Sequence, residues 1–191
     1  MSSSVTQVAS PRSRTFEAAT QIAIIVSASL FVALCARIYI PLPGTPVPLT
    51  VQNLGVLLVG LALGSRRGFA ALALYLAEGA AGLPVFSPHG LGGIAQILGP
   101  TGGYLIAYPF VAALTGYIFE RGKPVFARAV LACLAGEVLL FTFGISWLYV
   151  LTHSLARALS FGLYWFIFAE VLKIMLAAGA VRSWRALSAR G

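Results

Sequence analysis

The sequence predicts an all-α integral membrane protein: a bundle of six transmembrane helices with both termini in the cytoplasm. Three observations carry this. Hydrophobic residues make up 59% of the 191-residue chain and charged residues only 9%, whereas a soluble domain carries about 25% charged residues. So few charges cannot cover a water-facing surface, and lipid must be the outer solvent. Apolar runs recur along the chain, some near the roughly 20 residues that a helix needs to cross the hydrocarbon core. Finally, Arg12, Arg14, Arg66, Arg67, Arg121, Lys123, Arg128, Arg182, Arg185 and Arg190 fall before, after or in alternate gaps between these runs. The remaining gaps hold only Arg37 and Arg157. Lysine and arginine collect on the cytoplasmic side of membrane proteins. The net charge of +8 therefore reads as anchoring and topology, with no nucleic-acid partner implied.

Residues 1–15 are polar and Ser-rich, with no apolar signal-peptide segment, and read as a disordered cytoplasmic tail. Residues 16–191 then form one membrane domain, since no composition shift marks a second. The first span is Ala18 to Ala36. The stretch Pro41–Pro48 cannot be helical throughout, because each proline lacks an N–H and restricts its predecessor. Two short spans follow, Val51 to Gly64 and Gly68 to Ala81, separated by Ser65, Arg66 and Arg67. Residues 82–103 are a long, uncharged outer loop, apolar enough to fold back on the bundle. Tyr104 to Phe119 forms the fourth span, Ala127 to Leu151 the fifth, and Leu159 to Val181 the sixth.

Catalytic and metal chemistry find no footing. The chain has neither H-E-x-x-H nor G-x-S-x-G. His89 and His153 fall in loops without a cysteine or carboxylate cluster, and Cys35 and Cys133 lie far apart, as small hydrophobes would. The run from Gly116 to Pro124 superficially resembles a nucleotide-binding loop. It has five residues between its glycines instead of four, and Pro124 stands where a hydroxyl would hold magnesium. The chain does not hydrolyse ATP by itself. No cofactor and no metal are implied.

The carboxylates say more. Glu17 and Glu120 sit at cytoplasmic edges, but Glu78, Glu137 and Glu170 fall within or near apolar spans. Such residues are costly, face the bundle interior, and often mark a substrate path. Glu170 and Lys173 are three apart on one helix face and read as a functional pair. Glu78 and Glu137 have no local partner and are open between structural hydrogen bonding and function. On the outer side, Thr50 and Gln52 stand where the Pro-rich loop enters the second helix. The segments 82–86 and 99–104 add glycine backbones, Phe86 and Tyr104. Few polar groups among apolar walls suit a small, partly apolar ligand. Small residues four apart, Ser29 with Ala33 and Gly60 with Gly64, allow close helix approach. They suit internal packing or a partner-docking face.

The segments 47–64 (VPLTVQNLGVLLVGLALG), 75–86 (YLAEGAAGLPVF) and 99–105 (GPTGGYL) closely resemble the BioY family, the biotin-specific S-components of energy-coupling factor transporters. The similarity runs from about residue 28 to 180. It implies six helices in the bacterial cytoplasmic (inner) membrane, with biotin held near the outer face beneath the first and third outer loops. It also implies partners, a transmembrane T-component and two ATPase subunits, although some members are reported to work without them. On that resemblance Lys173, Glu170, Gln52, Thr50, Tyr104 and Phe86 are the expected biotin-binding residues. Ser29 and Ala33 are the expected docking pair. In the last helix the family pattern P-F-I-P-G-D-x-x-K meets Trp165-Phe-Ile-Phe-Ala-Glu170-Val-Leu-Lys173 here. Without its two prolines, the start of that helix is expected to be more regular. An S-component for another vitamin, or an intramembrane enzyme, are the rival readings.

Overall fold

The computed structural model describes residues 11–123 and 125–188 and is almost wholly helical. Among the described residues, helix α1 covers Pro11–Cys35. The expected tail is therefore shorter than 1–15: residues 11–15 are already helical, and 1–10 lie outside the described residues. Along α1, Ile22, Leu30 and Leu34 are exposed, whereas Ser29, Val32 and Ala33 are buried. Apolar residues face outward here, as expected of a surface solvated by lipid.

The Pro-rich loop is closed by a short antiparallel ribbon, β1 (Tyr39–Ile40) and β2 (Leu49–Thr50). Tyr39 stands opposite Thr50, and Val51 N–H donates to the Ile38 carbonyl at 3.0 Å. Two residues per strand are too few to show a period-2 pattern in sequence.

Among the described residues, four helices are long and apolar enough to cross a membrane, and a bent pair makes a fifth. One of the four, α2 (Gln52–Ala80), is not a single rod. Gly64 inside it has φ 79° and ψ −177°, a backbone region essentially reserved for glycine. Gln52 Nε2 donates to the Tyr75 hydroxyl at 2.9 Å, although a straight helix at 1.5 Å per residue would hold these residues about 35 Å apart. A Cβ on Gly68 would stand 3.4 Å from the Gly60 Cα. The chain thus reverses at Gly64 into a helical hairpin. The break falls at Gly64 and not at Ser65–Arg67, which belong to the second arm.

Helix α4 (Gly102–Glu120) packs into this turn. A Cβ on Gly60 would meet the Ala112 carbonyl oxygen at 2.7 Å, and one on Gly116 would stand 2.4 Å from the Gly64 carbonyl carbon. Lipid tails provide no hydrophobic drive between helices, so close backbone approach through small residues holds them together. Gly60 and Gly64 are accordingly internal packing. Glu120, at the end of α4, accepts from Ser65 N–H at 3.2 Å. That places a carboxylate against the free N–H groups at the start of the second arm, where the helix dipole favours it.

A short helix, α3 (Gly93–Leu98), interrupts the loop before α4. Helix α5 (Phe126–Thr152) ends on His153 in the left-handed conformation, a common helix stop. The last helix is not regular at its start. It comprises α6 (Leu155–Leu159), a π-helical turn over Ser160–Tyr164, and α7 (Ile167–Ser188), with a 41° bend between the segments flanking the break. The expectation of a more regular start is overturned. The Thr45 hydroxyl donates to the Phe161 carbonyl at 2.6 Å and the Tyr104 hydroxyl to the Gly162 carbonyl at 2.8 Å. Side chains from other elements thus satisfy the carbonyls of the wide turn, and it stands without a proline.

Candidate functional site

The break in the last helix, the ribbon, and the loop before α4 meet at one end of the bundle, the loop end, opposite the hairpin turn. A narrow cavity lies beneath them. Its wall comes from the Pro-rich loop and ribbon (Val47, Pro48, Thr50), the start of α2 (Gln52, Asn53) and the loop before α4 (Ser87, Gln96, Thr101). Helices α4 and α5 add Tyr104, Tyr108 and Phe141, and the start of the last helix adds Phe166, Glu170 and Lys173. The cavity is small, about 50 Å³. A second space of about 250 Å³ shares Pro48, Gln96 and Thr101 with it and reaches His89 and Leu91 in the loop.

The floor is a buried polar cluster. Lys173 Nζ lies 2.7 Å from Glu170 Oε1. The Asn53 amide donates to Glu170 Oε2 at 2.8 Å and to Glu137 Oε1 at 2.6 Å. All four residues are more than nine-tenths buried. The only cation of the group is paired with Glu170 against a largely apolar wall, and Asn53 bridges the two carboxylates. Charges this deep are tolerated when paired and hydrogen-bonded, and in a membrane protein they face an internal cavity. Asn53 Oδ1 and Glu137 Oε2 have no partner among the described residues. Chemically the floor offers an ammonium donor together with carboxylate and amide acceptors, enough to grip a head group with both N–H and C=O functions. Among the described residues no cluster of histidine, cysteine or carboxylate side chains could hold a metal ion.

The sequence model of the BioY family matches residues 5–190. The chain is 38% identical to the biotin transporter BioY of Rhizobium etli over 159 residues, covering 79% of this chain and 84% of the relative. It is 34% identical to that of Thermotoga maritima, covering 81% and 90%. This chain belongs to the BioY family. In three dimensions it is similar to the S-component for biotin from an ECF-type ABC transporter. The TM-score is 0.80 at 26% identity, covering 94% of this chain and 95% of that one.

The BioY fold brings most of the expected residues together. Glu170 and Lys173 pair on the floor, and Thr50, Gln52 and Tyr104 line the wall. Phe86 does not line the cavity. It is buried behind the wall, edge-on to Tyr75 at 5.4 Å, and fills the space that a Cβ on Gly79 would take. In this structure its ring packs against Tyr75 and Gly79.

The Ser29/Ala33 pair faces inward. Ser29 is fully buried and Ala33 nearly so, and the Ser29 hydroxyl donates to Glu78 Oε2. The same bond gives Glu78 a structural role, tying α1 to the second arm of α2.

Two residues of the floor escape a reading of the sequence. Glu137 stands out there only as a costly intramembrane carboxylate, because its partners are on other helices. Asn53 carries no signal of its own beside Gln52, and only the turn of α2 shows that it points to the carboxylates.

Behind the wall, the Tyr75 hydroxyl accepts from Gln52 and donates to the Val85 carbonyl at 3.0 Å. This single hydroxyl links both arms of the hairpin to the loop. Tyr75→Phe would leave a buried donor and acceptor unpaired, at about 1–3 kcal/mol. The expected result is a lower thermal midpoint in detergent. An unchanged midpoint would mean that the loop is anchored elsewhere.

Proposed function

We propose that this chain is the biotin-binding S-component of a biotin uptake system, a transport component and not an enzyme. Biotin carries a ureido ring with two N–H donors and a carbonyl, an apolar fused ring and an acyl tail. The buried Glu170–Lys173 pair, set in an otherwise apolar cavity under the loops, carries the reading. Glu170 accepts a ureido N–H and Lys173 donates to a ligand oxygen. Thr50, Gln52 and Tyr104 line the path above. The names of the relatives, biotin transporters and a biotin S-component, support the ligand.

In this reading residues 16–191 form one membrane domain of six crossings, with both termini in the cytoplasm of a bacterial cell and the loop end outside. The reversal at Gly64 supports six, because each arm of α2 then counts as a crossing of its own. The distribution of arginine and lysine supports the orientation. Energy comes from a module with a T-component and two ATPase subunits.

Binding of radiolabelled biotin to the purified chain tests the function. Saturable binding, competed by unlabelled biotin and not by thiamine or riboflavin, is expected. Absence of saturable binding would sink the reading. Topology is tested separately with single cysteines in a background lacking Cys35 and Cys133. Arg67→Cys should react only after the membrane is permeabilised. Leu91→Cys, at a position 87% exposed, should react in intact cells. Reaction of both from outside would overturn the six-crossing arrangement.

A further inference from the structure

One buried carboxylate is left over when Glu170 and Lys173 are assigned to the ligand. Glu137 is 4% exposed and does not border the cavity, yet it is bonded to a residue that does. The Asn53 amide nitrogen has two protons. One reaches Glu137 Oε1 at 2.6 Å and the other Glu170 Oε2 at 2.8 Å. An amide has nitrogen on one side and oxygen on the other, and the hydrogen-bond network decides which way it faces. With both protons held by carboxylates, a flip would set the carbonyl oxygen against two acceptors and leave both unpaired. The orientation is therefore locked. Its consequence is a buried acceptor, Asn53 Oδ1, with no partner among the described residues. Leaving such an atom unpaired is costly. The arrangement persists because the two carboxylates hold it.

We propose that Glu137 is a positioning residue for ligand selection: by locking the Asn53 amide, it reserves the Asn53 carbonyl oxygen for an N–H of the ligand head group. The ligand class it selects is a cyclic urea or similar head with more than one N–H. One N–H meets the Glu170 carboxylate, and the next meets Asn53. The oxygens of the floor suit a head group rich in N–H donors. The head group therefore enters first, and a carboxylate tail stays toward Gln96 and Thr101, where the cavity meets the second space. This rests on the biotin reading above.

The test compares biotin with two analogues, each methylated on a different ureido nitrogen, in the full-length protein. In the wild type both methylations should weaken binding, each by about tenfold or more, since each removes a donor to a buried acceptor. In Glu137→Leu, biotin binding should fall about tenfold, and one of the two methylations should cost less than about threefold, because the acceptor it addressed is no longer held. Glu137→Gln, whose amide oxygen still accepts from Asn53, should restore affinity and discrimination. A role confined to packing would change stability in Glu137→Leu and leave the discrimination intact. That result would overturn the proposal. If Glu137→Leu does not fold, Asn53→Ala decides: retention of wild-type discrimination against both analogues would overturn it equally. Failure of the wild type to bind biotin at all would instead reject the functional reading.

Discussion

Lys173→Ala is expected to weaken biotin binding by roughly 10- to 150-fold, the equivalent of about 1.5–3 kcal/mol for a hydrogen bond to a charged group. The residue is 8% exposed, and its ammonium sits 2.7 Å from Glu170 Oε1. No other cation among the described residues borders the cavity. Its removal costs twice. The ligand loses a donor, and Glu170 loses its counter-ion, at about 3–5 kcal/mol when one partner of a buried pair is deleted. The two losses are separable. Adding Glu170→Gln to Lys173→Ala removes the orphaned charge and should bring the thermal midpoint back toward that of the wild type. Affinity should not return, because neither the ammonium nor the carboxylate acceptor is present. Calorimetric titration with biotin and thermal unfolding in the same detergent read the two effects. Wild-type affinity in Lys173→Ala would assign the pair to packing and remove the central support of the binding site.

Gly116→Ala is expected to destabilise the fold by about 3 kcal/mol, the upper end for overpacking a well-filled interior. The added Cβ would stand 2.4 Å from both the Gly64 carbonyl carbon and the Ser65 nitrogen, and 2.9 Å from the Gly60 carbonyl oxygen. Non-bonded carbon atoms prefer roughly 3.5–4.0 Å. All three atoms are backbone, so no side chain can swing away. They also belong to the turn at Gly64, whose conformation only glycine readily adopts. Relief therefore requires α4 to move off the hairpin, which loosens the arm that carries Gln52 and Asn53. A matched control is Gly179→Ala in α7, where a Cβ would meet nothing within 4 Å. There the helix should gain about 0.5–1 kcal/mol from the lost backbone freedom of glycine. Equal midpoints for the two variants would show that α4 does not rest on the hairpin turn through Gly116.

Much of the site was legible because its signals are local. Glu170 and Lys173 are three apart on one helix, so their pairing follows from helix geometry alone, and in the folded chain their charged atoms lie 2.7 Å apart. Thr50, Gln52 and Tyr104 stand in loop-to-helix junctions rich in glycine and proline, which line pockets because their backbones can be shaped. Phe86 also occupies such a junction, yet its ring turns to Tyr75 and Gly79. Ser29 and Ala33 face inward, and small-xxx-small spacing marks close approach without saying to what.

Composition and charge placement alone settled that the solvent is lipid, that the elements are helices, and where the apolar runs begin and end, because these depend on transfer free energies summed along short stretches. Three things awaited the tertiary structure. The reversal at Gly64 depends on α4 lying against it, since a glycine by itself permits a turn but does not require one. The π-turn in the last helix depends on hydroxyls from Thr45 and Tyr104, 116 and 58 residues away in sequence, satisfying its carbonyls. The floor of the cavity depends on Asn53, 84 residues from Glu137 and 117 from Glu170, donating to both. Each is a contact between distant segments. Sequence patterns register the cost of a buried polar group, but only the folded chain decides which partner repays it.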